Sequence, residues 1–214
     1  MIANDNTVRV MLVIMFSYLL GSIPTAYLVA KAKGINIFEV GSGNMGATNV
    51  MRSLGFGWGI FVWFCDSLKG IVAILLATLL MPDYPGTATA VSATVAVVGH
   101  NWSLFALLFT GTLRGGKGAA IWFGTMLVMA PFQVIAGMCL LGGLIIASTR
   151  YVSLAVLGMF ALSTLWVIVL IGQHEMHIEY IFYFLTVTAM ILYRFRENIQ
   201  RLLAGTERRL GEGA

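Results

Sequence analysis

The feature that most constrains this chain is a succession of long apolar stretches separated by short polar ones. The stretches cover residues 8–30, 56–81, 88–112, 118–149, 152–172 and 179–194. A helix needs about 20 apolar residues to cross a bilayer, and backbone polar groups at that depth can be satisfied only within helices or closed barrels. The stretches are continuous rather than alternating, so helices are predicted. Charged residues supply 10% of the 214 and hydrophobic residues 59%, against about 25% and 45–50% in soluble domains. A separate soluble domain has no room, and we read residues 1–214 as one integral membrane domain. Cys65 and Cys139 sit in apolar surroundings and are expected to be buried thiols rather than a disulfide. Asn4, Asp5, Asn6 and Arg9 precede a first apolar run that lacks an A-x-A-like site, so a cleaved signal peptide is not expected.

The stretch 118–149 is too long for one crossing. Its 32 residues would extend about 48 Å as a helix, against a hydrocarbon core of about 30 Å. Pro131 removes an N–H and clashes with the preceding turn, so two short spans, 118–130 and 132–149, are predicted. Charge supports the split. With seven spans and the N-terminus outside, every basic residue except Arg9 and Lys69 lies in an inner segment, while Asp5, Asp83, Glu175 and Glu179 lie outside. Cytoplasmic loops are enriched in Lys and Arg. The expectation is an all-α helical bundle of about seven transmembrane helices, with the N-terminus outside and the C-terminus cytoplasmic.

Polar residues are costly in a membrane and tend to mark function. Here they gather in four places, all on the inner side of that topology. The loop 41–52, GSGNMGATNVMR, holds Gly41, Gly43 and Gly46 in a G-x-G-x-x-G spacing. It is not a dinucleotide fingerprint, because a membrane helix precedes it instead of a strand. Glycines nevertheless let backbone amides point at an anion, and Ser42, Asn44, Thr48 and Asn49 add neutral hydrogen-bonding groups. Arg52 adds a planar fork suited to phosphate. The turn Arg114-Gly115-Gly116-Lys117-Gly118 approaches a Walker A sequence but has Gly118 where magnesium binding needs Ser or Thr. It reads as a second phosphate turn opening a helix.

The third place is within the spans. Asp66 and Lys69 share a helix face, either as a self-neutralising ion pair or with a direct role. His100 after Gly99 is either a packing hydrogen bond or a group that polarises substrate. The fourth is 194–209, where Arg194, Arg196, Asn198, Arg201, Glu207, Arg208 and Arg209 cluster. Ile199, Leu202 and Leu203 could form the stripe of an interfacial helix. His174, Glu175, His177 and Glu179 form an outer group, but nothing else polar converges there and no metal is expected.

These residues resemble those of the bacterial acyl-phosphate:glycerol-3-phosphate acyltransferases, integral membrane enzymes of phospholipid biosynthesis. The motifs are GSIPTAYL at 21–28, GSGNMGATNVMRSLG at 41–55, DSLKG at 66–70, GHNW at 99–102, RGGKG at 114–118, TRYVSLA at 149–155 and RENIQRLLAGTE at 196–207. The resemblance implies seven spans in the bacterial inner membrane and an active site facing the cytoplasm. It implies glycerol 3-phosphate contacts at Ser42, Arg52, Lys117 and Asn198, with a further polar contact at Ser153. The loops at Gly43 and Gly46 and at Gly115 and Gly116 would cradle phosphate with Thr48 and Asn49, and Arg196 would assist. Asn44, His100 and Lys117 would carry the chemistry, with Asp66 and Lys69 in support. The substrates implied are acyl phosphate and glycerol 3-phosphate in a lipid bilayer, with no cofactor and no nucleic acid. The chain departs from the family pattern in about five extra residues between His100 and the Gly115 turn, in Ser103 for proline, in Ile121 for threonine, and in Phe195 where the family has histidine.

An acyl phosphate carries a good leaving group, so acyl transfer needs two anions held together and donors for the developing oxyanion rather than a covalent nucleophile. No H-x-x-x-x-D pattern follows His100, His174 or His177, which argues against an acyl-CoA-type acyltransferase. The competing expectation is a membrane transporter of an organic phosphate. Against it stand the lack of repeated halves and the few polar residues on the outer side.

Overall fold

The computed structural model describes residues 2–211, and the elements it forms are helices joined by loops and turns. α1 (Ile2–Ser22) and α2 (Thr25–Ala32) divide the first apolar stretch at Ile23 and Pro24. α3 (Ala47–Leu54) is short, and α4 (Phe56–Leu80) and α5 (Pro85–Asn101) follow. α6 (Leu104–Thr110) is a separate short helix, so the stretch 88–112 is two elements and not one. Ser103 makes that break: its Oγ accepts from Ala106 N at 3.0 Å and donates to Ser22 O at 2.5 Å. A side-chain N-cap of this kind starts a new helix.

α7 (Ala119–Met129) and α8 (Phe132–Thr149) separate at Pro131, as the length and charge arguments require. α9 (Val152–Gly172) is followed by α10 (Tyr180–Leu203). α10 runs on past residue 194, so Ile199, Leu202 and Leu203 belong to its last turns and not to an independent interfacial helix.

Among the described residues, four segments are long and apolar enough to cross a membrane: Asp5–Ala32, Phe56–Leu80, Phe132–Thr149 and Val152–Gly172. Large apolar side chains such as Leu79 and Phe132 lie exposed on the outer surface, where lipid tails would solvate them. Cys139 is among the exposed residues and Cys65 is half-buried, both as free thiols, which corrects the expectation of two buried ones.

Small residues set the helix packing. A Cβ at Gly21 would stand 2.1 Å from Ala96 O, and one at Gly99 would stand 2.3 Å from Tyr18 O, so α1 and α5 touch backbone to backbone. Gly124 does the same for α7 against Ser67 of α4. Close approach through small residues substitutes for hydrophobic association between helices in lipid. The largest buried cluster lies between α4, α5, α7, α8, α9 and α10, around Ile74, Val97, Trp122, Tyr183 and Ile191.

Charge inside the bundle is paired. Lys69 bonds Asp66, and its Nζ also donates to Ile23 O at 2.6 Å. The lysine thereby satisfies a carbonyl freed by the break before Pro24, a supporting role that fixes α4 against the α1–α2 junction.

Candidate active site

A cavity of about 450 Å³ opens among the loop before α3, α3, α4, α5, α7, α8, α9, α10 and the segment after α10. One part of its lining is polar and comes from six separate stretches of chain. Ser42, Asn44, Thr48 and Arg52 arrive from the glycine loop and α3, Asp66 from α4, and His100 from α5. Lys117 arrives from the turn before α7, Ser153 from α9 and Asn198 from α10. The other part is apolar, with Trp63, Phe123, Ile146, Val156 and Met159 contributed by α4, α7, α8 and α9.

The loop 41–49 is shaped by Asn49, which is buried at 2% exposure. Its Oδ1 accepts from Ser42 N at 2.8 Å, and its Nδ2 lies 3.1–3.2 Å from the carbonyls of Ile37, Val40 and Asn44. An amide committed to four backbone groups positions a loop and has little left for a ligand. Asn49 also belongs to the cavity lining, where its main use is to shape the loop. Gly41 has φ 57, and a Cβ there would meet Asn49 Oδ1 at 2.2 Å, so only glycine fits against the clamp. Gly43 also has positive φ but lies outside the cavity lining, whereas Gly46 and Thr48, at the N-terminal end of α3, belong to it.

The second glycine turn has a different use from the one expected. A Cβ at Gly116 would stand 2.0 Å from His100 Nε2, and one at Gly115 would stand 2.2 Å from His100 O. Gly116 N donates to His100 O at 3.0 Å. The carbonyls of both glycines accept from Arg194, at 2.6–3.0 Å. Gly115 and Gly116 therefore bring the turn close to α5 and bond Arg194; they do not line the cavity. Lys117, on the same turn, does.

Lys117 bonds Asn198 Oδ1, and its ammonium lies 5.3 Å from the centre of the Phe195 ring. Burial lowers its pKa to about 8, with the positive charge of Arg201 adding to the effect, Glu207 and Glu197 opposing it, and Arg194 adding a little. Arg52 Nη2 donates to Arg208 O at 3.1 Å. Ser153 Oγ donates to Glu207 Oε1 at 2.9 Å. Arg196 is the clearest misplacement by sequence. It is exposed, stacks on Tyr193 at 4.4 Å and lies 3.9 Å from Glu197, outside the cavity. Lys69 lies behind Asp66 and outside the cavity lining, a place compatible with the supporting role expected of it.

Several lining residues escaped the sequence reading. Trp122 is buried in an apolar run, and its indole N–H has no hydrogen-bond partner among the described residues. Arg201, Glu207 and Arg208, placed by the sequence only in a polar cluster near the C-terminus, all line the cavity. Burial raises the Glu207 pKa, but the hydrogen bonds from Arg201, Asn198 and Ser153 and the Arg201 charge outweigh it, leaving a lowered value. Among the described residues, no group of three or more His, Cys, Asp or Glu side chains could hold a metal ion.

A helical membrane bundle whose cavity joins cations and neutral donors to an apolar wall defines a protein that handles an amphipathic anion. The comparisons with known proteins narrow this class. Residues 11–205 match the family model of glycerol-3-phosphate acyltransferase, and the chain belongs to that family. It is 40% identical over 202 residues to the glycerol-3-phosphate acyltransferase of Halalkalibacterium halodurans, covering 94% of this chain and 95% of that one. It is also similar to the crystal structure of PlsY (YgiH), an integral membrane glycerol 3-phosphate acyltransferase, in its glycerol 3-phosphate form. The TM-score is 0.83 at 35% identity, covering 94% and 96% of the two chains. The lysophosphatidic acid form of PlsY gives a TM-score of 0.80 at the same identity. This protein is a multi-pass integral membrane member of the family.

Proposed function

We propose that this protein transfers an acyl group from acyl phosphate to glycerol 3-phosphate, forming 1-acyl-glycerol 3-phosphate and inorganic phosphate for phospholipid biosynthesis. The observation that carries the reading is the shared cavity: Arg52, Lys117 and the loop 41–49, distant in sequence, line one space together with the apolar side chains of α8 and α9. Two phosphates and one acyl chain are the groups such a lining suits. Arg52 and Lys117 hold phosphate charge, and Ser42, Thr48 and the amides at Gly46 add neutral donors. Asn44 and His100 face the reacting carbonyl. The acceptor hydroxyl attacks that carbonyl, the carbonyl–oxygen bond to phosphate breaks, and the departing phosphate takes the hydroxyl proton. Charge and proton thus balance without a covalent enzyme intermediate.

The chain makes seven crossings in the bacterial inner membrane, with the N-terminus outside and the site at the cytoplasmic face. α1, α4, α5, α7, α8, α9 and α10 supply the crossings, and residues 1–214 act as one domain. Supporting this are the chain break at Pro131 and the basic residues gathered in the inner segments. The purified protein in detergent, given acyl phosphate and glycerol 3-phosphate, is expected to release phosphate and form lysophosphatidic acid. Flux of glycerol 3-phosphate into liposomes without turnover would instead establish the transporter reading.

A further inference from the structure

We propose that Glu207 is a positioning residue for this reaction, one that orients the Asn198 amide so that Asn198 holds the Lys117 ammonium in the cavity. The inference rests on the acyl-transfer reading only in taking Lys117 as a phosphate-holding cation.

The argument starts from the chemistry of the amide. Asn198 has a donor end and an acceptor end, whereas an ionised carboxylate only accepts and an ammonium only donates. Asn198 Nδ2 donates to Glu207 Oε1 at 2.6 Å, and Lys117 bonds Asn198 Oδ1. Turning the amide over would set oxygen against carboxylate and N–H against ammonium. One orientation is therefore enforced from both ends, and Asn198 has its donor engaged by Glu207.

The carboxylate is itself fixed. Ser153 Oγ reaches the same oxygen as Asn198, at 2.9 Å, and Arg201 Nε reaches the other at 2.7 Å. The stretch that carries Glu207 is tied down on both sides. Thr206 N donates to Arg201 O at 2.9 Å, Leu210 N donates to Arg150 O at 2.7 Å, and Arg150 Nε returns a bond to Leu210 O at 2.9 Å. A negative charge placed beside an anion site repels substrate, so its presence at 8% exposure calls for a use that outweighs the repulsion. Orientation of Asn198 and support of the Lys117 charge provide one. α10 presents Arg194, Glu197 and Arg201 to Lys117, and the remaining ionisable groups of the cavity are Arg52, Asp66, His100 and Arg208. Glu207 is the one of these that also fixes the group Lys117 bonds.

Two variants separate orientation from charge. Glu207→Ala removes both; Glu207→Gln keeps an oxygen that accepts from Asn198 and Ser153 but loses the charge. The readouts are glycerol 3-phosphate binding by calorimetry and kcat/KM from about pH 6 to 9, with melting temperature alongside. Glu207→Ala is expected to weaken binding about tenfold or more at every pH. Glu207→Gln is expected to bind nearly as wild type at pH 6 and to fall about threefold to tenfold behind by pH 8, because Lys117 loses its proton earlier without the nearby charge. If Glu207→Ala fails to fold, the pH-dependent gap in Glu207→Gln alone decides the matter. Wild-type binding in Glu207→Ala, or a Glu207→Gln deficit that does not change with pH, would overturn the proposal. Wild-type protein that binds glycerol 3-phosphate but makes no lysophosphatidic acid would overturn the acyl-transfer reading, while the binding comparison still decides the role of Glu207.

Discussion

The Lys117 ammonium lies 5.3 Å from the centre of the Phe195 ring, with the ring itself buried at 4% exposure. The ring face is negative, so it supports a cation that has lost much of its water. This gives a physical use to the phenylalanine at a position where the family resemblance leads one to expect histidine. Phe195→Leu keeps apolar bulk but removes the ring quadrupole. A desolvated contact of this kind contributes about 1–2 kcal/mol, so KM for glycerol 3-phosphate is expected to rise roughly fivefold to thirtyfold. Steady-state kinetics on the purified variant check it; an unchanged KM would reduce Phe195 to packing.

Arg52→Ala and Lys117→Ala each remove a cation from the cavity wall. Charge-assisted hydrogen bonds contribute about 1.5–3 kcal/mol, so kcat/KM for glycerol 3-phosphate is expected to fall by roughly one to two decades. Wild-type kinetics in both folded variants would return these residues to a topological role, as inner-side positive charges.

The lowered pKa of Lys117, about 8, gives the reaction a signed pH dependence. The side chain is charged below that value and neutral above it. Activity at subsaturating glycerol 3-phosphate should therefore decline as pH rises through about 8. Lys117→Arg keeps its charge far beyond this range, so it should lose the decline even if its overall rate is lower. A variant that retains the same high-pH limb would show that another group controls it.

Gly116→Ala tests the reassignment of the second glycine turn. The added methyl would press on His100 Nε2, displacing either the imidazole or the turn that carries Lys117. Overpacking costs about 1–3 kcal/mol, so both melting temperature and turnover should fall. Gly57→Ala, at a helical position with nothing within 4 Å of the added carbon, serves as the control and should leave both near wild type.

Membrane orientation is checked with single cysteines at two exposed positions, Lys33 and Glu175, after Cys65 and Cys139 are replaced by serine. With the N-terminus outside, Lys33→Cys should react with an impermeant thiol reagent only from the cytoplasmic side and Glu175→Cys only from the opposite side. Reaction of both from one side would require a different number of crossings.

The sequence by itself determined the helical class, the membrane setting and the break at Pro131, because each depends on the local properties of a stretch of chain: apolar length, scarcity of charge and a missing N–H. It also marked the loop 41–52 and the Lys117 turn, since glycines beside cations announce their chemistry without reference to partners. Tertiary structure decided which residues of those motifs meet in one space. Asn49 and Ser42 are close in the sequence, equally polar and both in the cavity lining, yet folding buries the first as the clamp of the loop and leaves the second exposed. Gly116 and Lys117 are adjacent, yet the first packs on His100 and the second lines the cavity. Arg196 and Arg201 lie on the same helix and carry the same charge, and only the rotation of α10 against its neighbours sends one outward and brings the other to Glu207. Long-range contacts such as Ser153 to Glu207, 54 positions apart, leave no periodic trace in the chain, because a hydrogen bond depends on where two side chains arrive and not on what surrounds them in sequence.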